Sequence, residues 1–237
     1  MVTSQWRAQL LWFQVLLLAL IGCLGLAWLA LAQWDYAYPV WYEWLEIQSH
    51  IDYFGRRNRF VHGIETLAPA EHIHLFAEIS QAVHSHGAGL ADIQFTWKGQ
   101  QQTLLRTPEI EHLQDVANLI DVMRNVTATA VVGAMAGLIW LRRRSRPHLM
   151  LQGGLLIGLV LVLTALVLLI GAKAVFYQFH VWIFPPEHQW FFYYQESLMS
   201  TLMKAPHLFG AIAVAIVVPG MLLFAALLLW LSRKQSV

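Results

Sequence analysis

Hydrophobic residues in this chain come in long unbroken blocks. Four of them run over about Leu10–Leu31, Asn125–Leu141 with the turn before it, Leu149–Val175 and Leu208–Leu231. A helix crossing about 30 Å of hydrocarbon needs roughly 20 residues. In lipid the backbone must also satisfy its own hydrogen bonds, so blocks of this length are predicted to be helices. The expected fold is an α-helical integral membrane protein with four transmembrane helices, at about residues 10–31, 120–141, 149–175 and 208–231.

Between the first two blocks the period changes. Trp34, Tyr36, Tyr38, Trp41, Tyr42 and Trp44 cluster just after the first block, and such amphipathic rings favour the headgroup layer. Pro39 suits a first helical position. Val40, Trp41, Trp44, Leu45 and Ile51 then recur at helical spacing against Glu43, Glu46, Ser49 and Asp52. That predicts one amphipathic helix, lying in the outer interface or packed over the helix ends. Gly55–Arg59 is a turn with Arg56, Arg57 and Arg59.

Further along, Pro69-Ala70-Glu71 opens a predicted helix to about His84, with Leu75, Ile79 and Val83 on one face and His86-Gly87-Ala88-Gly89 ending it. Ile93–Trp97 alternates with period two, Lys98-Gly99 turns, and Thr103–Arg106 returns, the pattern of a β-hairpin. Thr107-Pro108 then starts a helix that meets no breaker before the second block. Residues 32–110 are therefore expected to form a small mixed α/β cap between the first and second spans. A segment this short packs on the helix ends rather than standing alone, which leaves 1–237 as a single membrane domain.

Composition agrees with the blocks and charge orients them. The chain is 58% hydrophobic and only 12% Asp, Glu, Lys and Arg, about half the usual charged share. That excludes an ordinary soluble globule. No basic stripe suits nucleic acid, and no glycine loop suits a nucleotide phosphate. Arg142, Arg143, Arg144 and Arg146 crowd the link between the second and third blocks, Arg233 and Lys234 follow the fourth, and Arg7 precedes the first. Short segments rich in Lys and Arg stay in the cytoplasm. All 14 acidic residues lie between Asp35 and Asp121 or at Glu187 and Glu196. Both termini are thus expected in the cytoplasm, with 32–124 and 176–206 outside.

The lone cysteine, Cys23, sits within the first block, so no intramolecular disulfide is available. Leu20-Ile21-Gly22-Cys23 has the look of a lipobox and Ala30-Leu31-Ala32 of a signal-peptidase site. A secretory apolar stretch stops after about 7–15 residues, whereas this one continues through Leu24, Leu26, Trp28, Leu29 and Leu31. An uncleaved anchor is expected.

Candidate chemistry rests on histidine, since ten of the eleven fall on the expected outer side. His72 and His74, and His84 and His86, are two residues apart, a spacing that does not face both rings to one point of a helix. With no outer cysteine, a metal centre is not expected, and these four read as exposed helix-face residues. His112 has different company, with Glu109, Glu111 and Asp115 in the first turns of the helix that enters the second span. Asp115, three residues on, is placed to orient its ring. His180 lies where the third block ends, just before Pro185-Pro186. Two histidines at one depth on the outer side could move protons for a reaction on a lipid ester.

Glu109-x-Glu111-His112-Leu113-x-Asp115-Val116 leading into a membrane helix resembles the E-x-x-H-x-x-D-V type signature of Lit, the lipoprotein intramolecular transacylases. Phe176-x-x-Phe179-His180-x-x-Ile183-Phe184, then Trp190 and Leu198 to Phe209, extends the likeness over most of the chain from Glu109 onward. The resemblance implies a bacterial cytoplasmic-membrane acyltransferase with an extracytoplasmic cap. Its reaction moves the sn-2 acyl chain of a lipoprotein's diacylglyceryl-cysteine onto that cysteine's α-amine, giving the lyso form. It implies catalytic roles for His112 and His180, with Asp115, Glu111 and Glu109 in support. It implies no cofactor and no metal, and as partners a diacylated lipoprotein substrate and membrane lipids. Two other classes compete. A non-enzymatic assembly factor or sensor would use the cap to bind a partner. A haem-binding electron carrier would need histidines facing each other within the spans, and none sits at mid-depth.

Overall fold

The computed structural model describes residues 2–141 and 148–233. Arg142, Arg143, Arg144, Arg146 and Lys234, on which much of the expected orientation rests, lie outside the described residues. The described chain is mostly helical, with one small two-stranded sheet. Among the described residues, four helices are long and apolar enough to cross a membrane. They are α1 (Val2–Ala32), α5 (Thr107–Leu141), α6 (Leu149–Ile170) and α9 (His207–Arg233). The remainder comprises α2 (Tyr38–Trp44), α3 (Ile47–Gly55), α4 (Pro69–His84), β1 (Gln94–Trp97), β2 (Gln100–Thr103), α7 (Ala172–Ile183) and α8 (Leu198–Met203). The chain divides into two compact units. One comprises residues 1–30, 123–171 and 214–237, and the other 31–122 and 172–213.

The first unit is built from the apolar blocks. Leu16, Ala19 and Leu20 of α1, Ala134 of α5, Leu149 and Leu156 of α6, and Phe224 and Leu228 of α9 form its buried core. Between helices in lipid, packing replaces the hydrophobic drive, so small residues mark close approach. Gly25 is such a point, since a Cβ there would fall 2.3 Å from Thr127 Oγ1. Helix α1 runs without interruption through the lipobox-like stretch and Ala30. The third block departs from expectation. Its helix stops at Ile170 rather than near 175, because Gly171 takes φ 96°, a left-handed value that a helix cannot continue through.

The second unit shows where amphipathic patterning misleads. One helix was expected from Pro39 to Ile51. Glu46 takes φ 52° and divides it into α2 and α3. The buried face is also different, being Tyr38, Tyr42, Ile47 and Ile51, while Val40 and Trp44 are exposed. Tyr38 decides this, since its ring stacks on Phe76 of α4 at 3.9 Å between centroids. Its hydroxyl donates to the Leu202 carbonyl of α8 at 2.6 Å. A buried tyrosine supplies a large apolar ring to the core at little cost once its hydroxyl is satisfied.

Helix α4 spans the expected residues, with Leu75, Ile79 and Val83 buried. Glu71 accepts from the Ala68 N–H and so caps its start. The hairpin turns at Lys98-Gly99, both with positive φ, as a two-residue primed turn requires. That turn sets the register Trp97↔Gln100, so the return strand starts at once through Gln100, Gln101 and Gln102.

Candidate active site

Helix α5 begins with Arg106 as its cap, and Glu109 at the third position accepts from the Arg106 N–H at 2.8 Å. Glu109 is fully buried. Its Oε1 accepts from Ser197 Oγ at 2.5 Å, and the Arg106 guanidinium lies 3.3 Å from Oε2. Ser197 Oγ in turn accepts from the Ser200 N–H at the start of α8. The carboxylate therefore ties the first turn of α5 to α8, one turn below His112. Glu111, by contrast, is exposed.

His112 and His180 come together. Their ring centroids are 5.8 Å apart, with planes inclined at 37°. Both are buried, at 6% and 7% exposure. His180 Nδ1 is 2.7 Å from the Phe176 carbonyl. A carbonyl only accepts, so Nδ1 carries the proton and the lone pair is left on Nε2. Burial holds the His180 imidazole below the ordinary histidine range, against the pull of the Phe176 carbonyl. His112 Nδ1 is buried without a hydrogen-bond partner among the described residues. A buried polar atom left unpaired is uncommon and marks a place where another group can enter.

Aromatic rings wall the pair. Phe184 lies 4.9 Å from His112 and 5.1 Å from His180. Phe192 reaches His112 at 6.2 Å, and Trp190 reaches His180 at 5.0 Å. An apolar wall of this kind excludes water from a proton-transfer site and strengthens polar contacts within it.

Two expectations are corrected here. Asp115 was placed as the partner of His112, but its Oδ2 bonds His188 Nδ1 at 2.7 Å. A separation of three residues puts Asp115 on the right side of α5, and the loop after α7 then supplies a closer ring. His72, read as an exposed helix-face residue, is fully buried. Its Nε2 bonds the Ile64 carbonyl at 2.7 Å and its Nδ1 bonds Tyr42 Oη at 2.6 Å. His84 bonds Tyr36 Oη at 2.7 Å. His74 and His86 are exposed. No group of three or more metal-ligating side chains occurs among the described residues. Ser197 and His188 carry no sequence signal beyond type. Only the fold brings them beside Glu109 and Asp115.

Comparison with known proteins bears on this arrangement. The family model described as "Lipoprotein intramolecular transacylase Lit" matches residues 90–205, a stretch that includes both histidines. No curated protein matches the chain. Among solved structures, the membrane-integral lipoprotein intramolecular transacylase Lit from Bacillus cereus is similar with a TM-score of 0.71 at 18% identity, over 97% of this chain and 98% of that one. A variant of the same Bacillus cereus protein with one histidine changed to arginine gives 0.70 at 17% identity, over 99% and 96%. One with a histidine changed to alanine gives 0.68 at 18%, over 99% and 98%. These likenesses show a shared fold across nearly the whole chain.

Proposed function

We propose that this chain, a Lit-family membrane protein, is an acyltransferase using His112 and His180. It moves the sn-2 acyl chain of a lipoprotein's diacylglyceryl-cysteine onto the α-amine of the same cysteine. The observation that carries the reading is the buried His112 ring, its Nδ1 without a partner among the described residues, 5.8 Å from His180 and walled by aromatic rings inside the stretch matched by the family model.

The chemistry follows from the proton positions. The amine attacks the ester carbonyl, and as the C–N bond forms His180 Nε2 takes an amine proton. The resulting imidazolium returns that proton to the glycerol oxygen as the C–O bond breaks. The products are an amide and a free hydroxyl, with no net proton gained or lost in this step. His112 offers a ring N–H to the developing oxyanion. Amine and ester belong to one molecule, so holding them close supplies much of the rate. Glu109 and Ser197 position the turn that bears His112. No serine or cysteine nucleophile enters the scheme, and Cys23 lies within α1.

The direct test uses purified protein in lipid and a synthetic peptide bearing an N-terminal S-diacylglyceryl cysteine. Appearance of the N-acylated lyso product supports the reading, and an unchanged substrate overturns it. Activity is expected to survive strong chelators. Loss on chelation with recovery on adding zinc would contradict a reaction run by histidines alone.

The reading also fixes an orientation in a bacterial cytoplasmic membrane, with both termini in the cytoplasm and the 32–110 cap outside. Cysteine probes near Gly99 and Gln189 should label from outside, and probes near Ser145 and Ser236 only from inside. Inside labelling at Gly99 would reverse the orientation and remove the site from the leaflet where the substrate must present its amine.

A further inference from the structure

The proposed reaction leaves one proton without a destination. An α-amine has an ordinary pKa of about 7.7–8.0, so near neutrality the substrate arrives chiefly as an ammonium. The His180 shuttle carries the proton released during attack, not this surplus one. Nor does the buried pair offer it a resting place. His180 is held below the ordinary histidine range, and the Nδ1 of His112 is buried without a partner.

His188 has what the pair lacks. Its Nδ1 is 2.7 Å from Asp115 Oδ2, with the two side chains 38% and 13% exposed. The carboxylate only accepts, so Nδ1 carries a proton, and in the neutral ring the lone pair is left on Nε2 of this partly exposed side chain. A histidine held by a carboxylate at Nδ1 is oriented to act as a base through Nε2, and the same carboxylate steadies the imidazolium that forms. The Asp115 bond raises His188 above the ordinary histidine range, helped by the charges of Asp115, Glu187 and Glu111. Among the described residues those three are the charges that act on it, Asp115 and Glu111 from α5 and Glu187 from its own loop.

Its position fits the task. Asp115 lies one helical turn beyond His112 on α5. Phe184, Trp190 and Phe192, from the loop that carries His188, are the residues that wall the buried rings. His188 thus stands at the wet edge of the same site.

We infer that His188, oriented by Asp115, accepts the surplus proton of the substrate's α-ammonium as the substrate reaches the His112–His180 pair. One ammonium N–H bond breaks and its electron pair stays on nitrogen, leaving the free amine. A new N–H bond forms at His188 Nε2, Asp115 balances the imidazolium, and the proton then passes to water. This role rests on the acyltransfer reading above.

The test measures product formation by the full-length protein in phospholipid nanodiscs, with the S-diacylglyceryl-cysteine peptide, from about pH 7.5 to about pH 9, since below that range His188 is itself increasingly protonated. Free amine is about one part in three at the first pH and most of the substrate at the second. His188→Gln is expected to be about threefold slower than the unaltered protein near the lower pH and equal to it near the upper. Asp115→Asn should follow the same trend, and added imidazole should restore His188→Gly near the lower pH. His86→Asn breaks another exposed histidine–aspartate contact on α5, to Asp121 at 2.6 Å, and should leave the profile unchanged. A His188→Gln deficit of equal size at every pH would mean that the residue only holds its loop, and would overturn the inference. So would no deficit at any pH. Either result, with product formed by the unaltered protein and none by His180→Ala, leaves the acyltransfer reading standing. No product from the unaltered protein would overturn both.

Discussion

His180→Ala is expected to lower lyso-product formation by about 10²–10⁴-fold, the usual weight of general acid–base help. His112→Ala should cost about 10²–10³-fold, as loss of one donor to an oxyanion does. The two differ because His180 has its proton fixed on Nδ1 by the Phe176 carbonyl, leaving Nε2 as an acceptor, whereas His112 has no such tie at Nδ1 among the described residues. A second variant separates the roles. His112→Asn keeps an N–H donor on a shorter side chain and should retain more activity than His112→Ala, while His180→Asn should do no better than His180→Ala because an amide is no base. Product assays on protein of verified folding check this. His74→Ala is the right control for removing a histidine, since that ring is exposed. His72→Ala is not, because it would strip partners from Tyr42 and the Ile64 carbonyl. Equal activity of His112→Ala and the unaltered protein would remove His112 from the mechanism.

Glu109→Ala should destabilise the fold by about 3 kcal/mol, the scale seen when one member of a buried charged contact is removed. The loss leaves Ser197 Oγ and the Arg106 N–H without their acceptor and the Arg106 guanidinium without its nearby counter-charge. Glu109→Gln keeps one acceptor oxygen, enough for Ser197 Oγ or the Arg106 N–H but not for both, and should cost about 2 kcal/mol. Thermal or denaturant unfolding in detergent reads the difference. Activity should fall with Glu109→Ala by more than the unfolded fraction explains, since the turn that aims His112 is no longer tied to α8. Equal stability of the alanine and glutamine variants would mean that the network contributes little.

What the sequence makes legible follows from the physics involved. Hydrocarbon thickness imposes a length, so the four long apolar helices are readable from block length alone. Period-two alternation over Ile93–Trp97 followed by Lys98-Gly99 marks a strand and its turn, so the hairpin is readable, though its glutamine strand is not. Helix α4 has a proline start, an acidic cap and one clean apolar face, three signals that agree. The junction in the third block failed because Gly171 resembles the other glycines of apolar helices, and only its backbone angle separates it. The α2–α3 segment failed because a tryptophan counts as apolar wherever it lies, while Tyr38 is buried through a ring on α4 and a carbonyl 164 residues away.

Within the site, chemical type and position along the chain were enough to single out His112 and His180. Partners were another matter. Spacing by three placed Asp115 beside His112 on the helix surface but gave no way to foresee a competing ring from the loop after α7. Glu109 and Glu111 could not be told apart until the cap at Arg106 turned one inward.

The most direct measurement is mass spectrometry of lipoprotein N-terminal peptides from cells that lack the protein, carry it, or carry His180→Ala. Peptides with one acyl chain on the cysteine nitrogen and one on the glyceryl group should appear only with the unaltered protein, and the S-diacylglyceryl form should persist in the other two. Identical peptides in all three would contradict the acyltransfer account and favour a protein that binds a partner without changing it.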